Sequence, residues 1–326
     1  MSKATIVIPN INGKGWLKDS IESIYAQTEQ DFDLIVVDNG STDESLEQAR
    51  SYCTRPNFTL IENGRNTGFS YAVNQGIARA QSKYVVLFNN DAFAEPQWLA
   101  ELLRTADADP KIFAVQSLMI RHFERELADD AGDYVTWMGF ACKTGDGRRA
   151  SRYTRQKRIF SACGGAALYR KAHLEQIGGF DELHFAYLED VDIGYRAQIF
   201  GLKNVTEPAA VVYHAGSGST GSRYNAFKVT HSSRNNIYLI YKNMPVLQIL
   251  LNLPAFILGF SAKLVFFASK GYGKEYLAGI KNGFFICRKP ENRAKKIRFE
   301  WKRLGTYFVI EWELFINVFR RFLERA

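Results

Sequence analysis

Tyr84-Val85-Val86-Leu87-Phe88-Asn89-Asn90-Asp91 is a run of five apolar or aromatic residues stopped abruptly by two amides and a carboxylate. Apolar side chains without polar alternation read as a strand buried on both faces, as in a parallel sheet covered by helices. In an open α/β sheet, ligands sit just beyond the carboxyl ends of the strands. Asn89 and Asp91 therefore stand where a ligand would be met. Oxygen donors this few suit Mg²⁺ or Mn²⁺, which complete their shells with water and substrate phosphates. An Asn/Asp turn closing a strand accounts for the same residues when they are taken alone.

Working outward, the flanking sequence repeats the pattern. Thr5-Ile6-Val7-Ile8-Pro9 is a short strand, and a helix from about Trp16 carries Leu17, Ile21, Ile24 and Tyr25 on one face. Leu34-Ile35-Val36-Val37 is a second strand, broken at Asp38-Asn39-Gly40-Ser41-Thr42-Asp43, a cluster able to turn the chain and cap the next helix. Phe58-Thr59-Leu60-Ile61 is a third, and the helix after Asn66-Thr67-Gly68-Phe69 leads into the opening strand. The first 90 residues thus read β-α-β-α-β-α-β, the pattern of a doubly wound nucleotide-binding half. Further on, Ile112-Phe113-Ala114-Val115 is a strand, and residues 119–158 carry no assignable pattern. Ser161 to Tyr169 reads as a strand of small residues whose Gly164 and Gly165 permit close approach by a ligand. A helix is entered across Phe185-Ala186-Tyr187-Leu188-Glu189-Asp190-Val191-Asp192, and Val211-Val212-Tyr213-His214 closes the sheet.

At 326 residues, 46% of them apolar, the chain holds one large domain or two. Cys53, Cys142, Cys163 and Cys287 show no C-x-x-C spacing, and with no signal peptide in view they read as reduced cytoplasmic thiols. The net charge of +8 is unevenly placed: residues 241–326 carry 16 Lys and Arg against 6 Asp and Glu. A basic excess confined to one end points to an anionic partner surface, a membrane or a nucleic acid.

Ile6-Val7-Ile8-Pro9, Val36-Val37-Asp38-Asn39-Gly40-Ser41-Thr42-Asp43, Asn66-Thr67-Gly68-Phe69 before Phe88-Asn89-Asn90-Asp91, and Tyr187-Leu188-Glu189-Asp190-Val191-Asp192 stand in one order. As a set they resemble the family 2 glycosyltransferases with the A-type fold, especially the bacterial rhamnosyltransferase-like branch, over roughly residues 4–240. The resemblance implies a mostly parallel nucleotide-sugar-binding α/β sheet followed by a helical C-terminal region. It implies inverting transfer of a sugar, rhamnose from a deoxythymidine-diphosphate donor, onto a lipid-linked cell-surface glycan. Pro9, Asn10, Asp38, Asn66, Gly68, Asn89, Asn90 and Asp91 would meet the donor, with Asp38 at its base or ribose. Asp91, Asn89 and His214 would hold Mn²⁺ or Mg²⁺, and Gly164 and Gly165 would face the acceptor. Asp190 is the candidate base, with Glu189 second, because inversion requires a carboxylate opposite the leaving group. Three acids at 189, 190 and 192 also suit a helix N-terminus through its macrodipole alone. Where the family carries Asp-x-Asp, this chain has Asn89-Asn90-Asp91, which makes the site less anionic. A non-catalytic nucleotide-sugar or carbohydrate-binding protein of the same fold is the competing reading.

Gly216-Ser217-Gly218-Ser219-Thr220-Gly221 satisfies G-x-G-x-x-G, but a dinucleotide fingerprint belongs in the first β-α turn, so a nicotinamide-dependent oxidoreductase is disfavoured. A loop closing over the donor or a plain linker fits the position. Residues 1–235 are expected to form the catalytic domain, and 236–326 a basic helical region. The apolar stretch from Pro245 to Ser269 is long enough to span a bilayer, but Gln248, Asn252, Pro254 and Lys263 interrupt it. With the aromatic-basic segments after it, the expectation is an amphipathic surface on an anionic membrane, peripheral at its cytoplasmic face. Dimerisation through the same apolar faces is compatible, and no nucleic-acid-binding motif is present.

Overall fold

The computed structural model describes residues 1–216 and 224–323. Four strands open the chain: β1 (Ala4–Asn10), β2 (Phe32–Asp38), β3 (Phe58–Glu62) and β4 (Tyr84–Phe88). They alternate with α1 (Leu17–Tyr25), α2 (Ser45–Arg50) and α3 (Phe69–Arg79). The strands run parallel in the spatial order β3-β2-β1-β4. Parallel strands joined by crossovers all end on the same side, so the polar residues that stop them collect along one rim. Both faces are covered, which is why the strands lack alternation. Ile6, Ile8, Val86 and Phe88 pack in one core layer and Val7, Val85 and Leu87 in the other.

Next come β5 (Ala92–Ala94), α4 (Trp98–Ala108) and β6 (Ile112–Arg121). The stretch without a sequence pattern contains short strands: β7 (Ala128–Asp130), β8 (Asp133–Val135), β9 (Ala141–Lys143) and β10 (Arg158–Ile159). β8 and β9 pair with each other apart from the main sheet. β11 (Ala166–Arg170) inserts antiparallel between β4 and β6. After α5 (Lys171–Ile177) and α6 (Glu189–Ile199), β12 (Lys203–His214) lies parallel to β6 and pairs antiparallel with β5, opposing His214 to Ala92.

Two boundaries differ from expectation. Ser161 to Gly165 is not strand; β11 begins at Ala166, because Gly164 and Gly165 pack close to Phe69 and Asn89 in a turn. Nor does α6 begin near Phe185. Phe185, Tyr187 and Leu188 have φ of 61°, 73° and 67°, a left-handed region that holds the chain out of the helix until Glu189.

The C-terminal part is helical: α7 (Ala226–Asn243), α8 (Val246–Ser269), α9 (Gly273–Arg288), α10 (Pro290–Arg293) and α11 (Leu304–Leu323). α7 runs unbroken across residue 235, and α8 continues through Pro254. Leu239, Phe256, Ile310 and Leu314 from these helices share a core with Val191 and Tyr195 of α6, so the tail is packed on the helix that carries Glu189 and Asp190. α8 is long and apolar enough to cross a membrane by length and composition, yet two polar residues of its first half face inward. Gln248 and Asn252 are buried and donate to Glu311 Oε2 at 2.7 and 3.0 Å, while Leu247, Leu250, Ile257 and Val265 face outward. α9 and α11 also expose large apolar side chains, among them Phe285, Phe308 and Trp312.

Candidate active site

The strand ends, the β8-β9 pair and the start of α6 enclose a cleft of about 580 Å³. Every residue singled out from the sequence lines it except Asp38. Asp38, expected at the donor's base or ribose, is buried beneath the wall. Its Oδ1 accepts from the Gly40 and Ser41 N–H groups, and its Oδ2 accepts from Asn10 Nδ2 and Ser41 Oγ. With all its strong acceptor positions engaged, it sets the loop and orients Asn10. Asn10 in turn accepts from Asn90 Nδ2 at 2.8 Å, so three strand ends are joined by one buried amide chain. Asn39 takes the place at the cleft wall, donating to the Gly68 carbonyl at 3.1 Å.

At one end of the cleft, His214 Nε2 lies 3.1 Å from Asp91 Oδ1, and its Nδ1 lies 2.9 Å from Asp129 Oδ2. Burial lowers the imidazole pKa, but the hydrogen bonds it donates to both carboxylates outweigh this and raise it to about 9. Among the described residues no three His, Cys, Asp or Glu side chains gather to cage a cation unaided. Asp91 and His214 nevertheless fit a cation that takes its remaining ligands from a diphosphate. Asp129 on Nδ1 fixes the ring, the usual outer-shell arrangement for a ligating histidine, and a cation would take the place of the proton that Nε2 shares with Asp91. Asn89 Nδ2 is 3.3 Å from Nε2, so its carbonyl oxygen would ligate only after the amide turned over.

At the other end, Asp190 Oδ1 accepts from the Val191 N–H at 2.8 Å and Oδ2 from the Gly164 N–H at 3.2 Å. Burial raises the Asp190 pKa, opposed by these two backbone donors and by Lys143. Glu189 beside it is pushed well above the carboxylate range by burial and by the charge of Asp190, and its Oε2 has no hydrogen-bond partner. Of the two, Asp190 is the one held for the ionised form. Gly164 and Gly165 line the floor between the two ends.

Several cleft residues had no signal in the sequence. Lys143 reaches Asp129 at 3.3 Å and Asp130 at 3.7 Å, tying the β8-β9 pair to the His214 end. Asp133 also lines the cleft, its pKa raised by burial and by Asp130. Asn235 on α7 holds the left-handed segment before α6: its Nδ2 lies 2.8, 2.9 and 2.7 Å from the carbonyls of His184, Ala186 and Tyr187. Gly68, at φ +87°, is pressed against that segment, and a Cβ there would lie 2.6 Å from the Phe185 ring. Most of the glycine-rich loop, from Ser217 onward, lies outside the described residues.

A sheet of this order with a polar cleft at its strand ends is the A-type glycosyltransferase fold, and solved structures share it. GalNAc-T7 with UDP, GalNAc and Mn²⁺ aligns with a TM-score of 0.61 at 16% identity, over 74% of this chain and 48% of that one. The mannosyltransferase PcManGT of Pyrobaculum calidifontis, in complex with GDP-Man and Mn²⁺, aligns with a TM-score of 0.55 at 19% identity, over 95% and 86%. The chain belongs to glycosyl transferase family 2, whose model matches residues 5–178. It is 29% identical over 247 residues to the N-acetylglucosaminyl-diphospho-decaprenol L-rhamnosyltransferase of Mycobacterium tuberculosis, covering 68% of this chain and 79% of that one.

Proposed function

We infer that this glycosyltransferase moves rhamnose from a deoxythymidine-diphosphate donor, with inversion, onto a lipid-linked glycan at the cytoplasmic face of a membrane. The observation that carries the reading is one cleft with a histidine-carboxylate pair at one end and a backbone-held, half-buried carboxylate at the other. The donor diphosphate would lie at Asp91 and His214, with Asn10, Asn39 and Asn66 along the nucleoside side. A divalent cation held by Asp91 and His214 would neutralise the charge that develops on the departing diphosphate. Asp190 takes the acceptor hydroxyl's proton as that oxygen attacks the anomeric carbon, and the two N–H groups on it keep the carboxylate aimed. Its raised pKa makes it a stronger base near neutral pH than an ordinary aspartate. Glu189, kept protonated, can donate to an acceptor oxygen. The rhamnose and lipid-linked assignments are supported by the mycobacterial relative, and the membrane location by the outward apolar faces and net +10 of the tail.

The test is nucleoside diphosphate release from a panel of nucleotide sugars with Mn²⁺ and a lipid-diphosphate-linked acceptor. Asp190→Asn should keep the donor Kd and lower kcat by about 10²–10⁴-fold. Near-wild-type turnover would remove Asp190 as base, and a clear preference for another donor would overturn the rhamnose assignment.

A further inference from the structure

A second cavity, of about 700 Å³, lies between the start of α8 and the start of α11 and shares no lining residue with the catalytic cleft. The walls are apolar and open: Leu247, Trp301 and Phe308 are 78%, 79% and 68% exposed, and Leu251 stands beside them. The same groove is lined by Arg293, Lys296 and Arg298. Neither Arg293 nor Arg298 makes an ion pair among the described residues, although the tail does pair other cations: Lys295 reaches Asp181 at 2.8 Å and Arg303 reaches Glu300 at 3.3 Å.

The groove is also held in place. The Ile297 N–H donates to the Lys242 carbonyl at 2.9 Å, and Lys242 bridges Asp181 and Asp192 at 2.8 and 2.9 Å. An apolar trough lined by Arg293, Lys296 and Arg298, with its one carboxylate, Glu311, engaged by Gln248 and Asn252, complements one chemistry, a hydrocarbon chain carrying an anionic head. Trp301 at the mouth, apolar with one N–H, suits the boundary between chain and headgroup.

We propose that this groove seats an acyl chain of an anionic membrane phospholipid, with the phosphate at Arg293 and Arg298. The proposal rests on the membrane location inferred above and adds to it a discrete lipid site. The cations draw the protein to an anionic leaflet in a salt-screened manner. The apolar trough then supplies a term that salt does not weaken.

The experiment uses the full chain and vesicles of phosphatidylcholine with or without 30%, about a third, phosphatidylglycerol whose acyl chains are brominated. Expected are flotation with the anionic vesicles and, in a Trp312→Phe background that removes the other exposed tail tryptophan, bromine quenching of tryptophan fluorescence that largely disappears on adding Trp301→Phe. Arg293→Glu/Arg298→Glu should weaken flotation by at least about 10-fold. Phe308→Asp should remove the quenching while leaving nucleotide binding at the catalytic cleft unchanged, which certifies the fold. Absence of flotation by the wild type would overturn both the membrane location and the groove. Flotation that persists unchanged in all three variants, with quenching intact, would overturn the groove alone. A concentration-dependent dimer abolished by Phe308→Asp, with no vesicle binding, would assign the face to a second copy and overturn the proposal.

Discussion

Replacing Asn235 with alanine tests whether the segment before α6 is strained and anchored for catalysis. One amide with two N–H groups faces three carbonyls at 2.7–2.9 Å, that of His184 buried and those of Ala186 and Tyr187 half-buried. Two hydrogen bonds at about 1 kcal/mol each, with the desolvation of carbonyls left unpaired, set the loss at about 2–3 kcal/mol. Against this stand Phe185, Tyr187 and Leu188 at positive φ, each costing about 1–3 kcal/mol. The strain therefore matches or exceeds the anchor, and without it the segment should relax and shift Glu189 and Asp190. Arg234 still grips the Leu183 and His184 carbonyls, so the relaxation should be confined to Phe185–Leu188. Urea unfolding should register a loss of about 2 kcal/mol. The kcat should fall about 10-fold for each ~1.4 kcal/mol that the displacement of Asp190 adds to the barrier, and a fall of at least about 10-fold is expected. The donor Kd should not move, because the amide chain through Asn10 and Asn90 is untouched. Asn235→Asp, which keeps the shape but turns oxygens toward carbonyls, should be worse than alanine. A kcat within twofold of wild type, alongside the stability loss, would show that the catalytic geometry is set elsewhere.

Asp91→Ala should weaken Mn²⁺-dependent donor binding far more than binding of the free nucleoside, measured by calorimetry with and without chelator; equal losses would remove the metal role. A pH effect is expected at His184, fully buried with neither ring nitrogen hydrogen-bonded. Burial holds its pKa down to about 4, against the raising effect of Asp192, from an ordinary value of 6.5. Between those values the unfolded chain carries a proton that the folded chain lacks, so stability falls as pH falls, by up to about 1.4 kcal/mol per pH unit. Urea midpoints from pH 7 to 5 should show a shallower decline in His184→Phe than in wild type; parallel curves would refute it.

The parallel half of the fold is written in the sequence because its strands need apolar residues on both faces and its crossovers need amphipathic helices. Those local periods are what a linear reading detects. The rim residues followed, since parallel strands must end together, and so did Asp190 and Glu189 through their motif. What the sequence could not display is everything set by distance in space. The resemblance had grouped His214 with Asp91, but the reason they meet, the pairing of β12 with β5, is tertiary, and Asp129 and Lys143 join them from short strands with no period to read. Asp38 turned out to brace the wall because its neighbours' N–H groups fill its oxygens. The left-handed run before α6 involves no glycine, and it is held by groups far away in the chain, Asn235 and the Ser70 N–H, which donates to the Phe185 carbonyl at 3.3 Å. The direction of the tail's apolar faces was likewise decided by tertiary structure: Gln248 and Asn252 are drawn inward by Glu311, and that leaves the hydrocarbon outside.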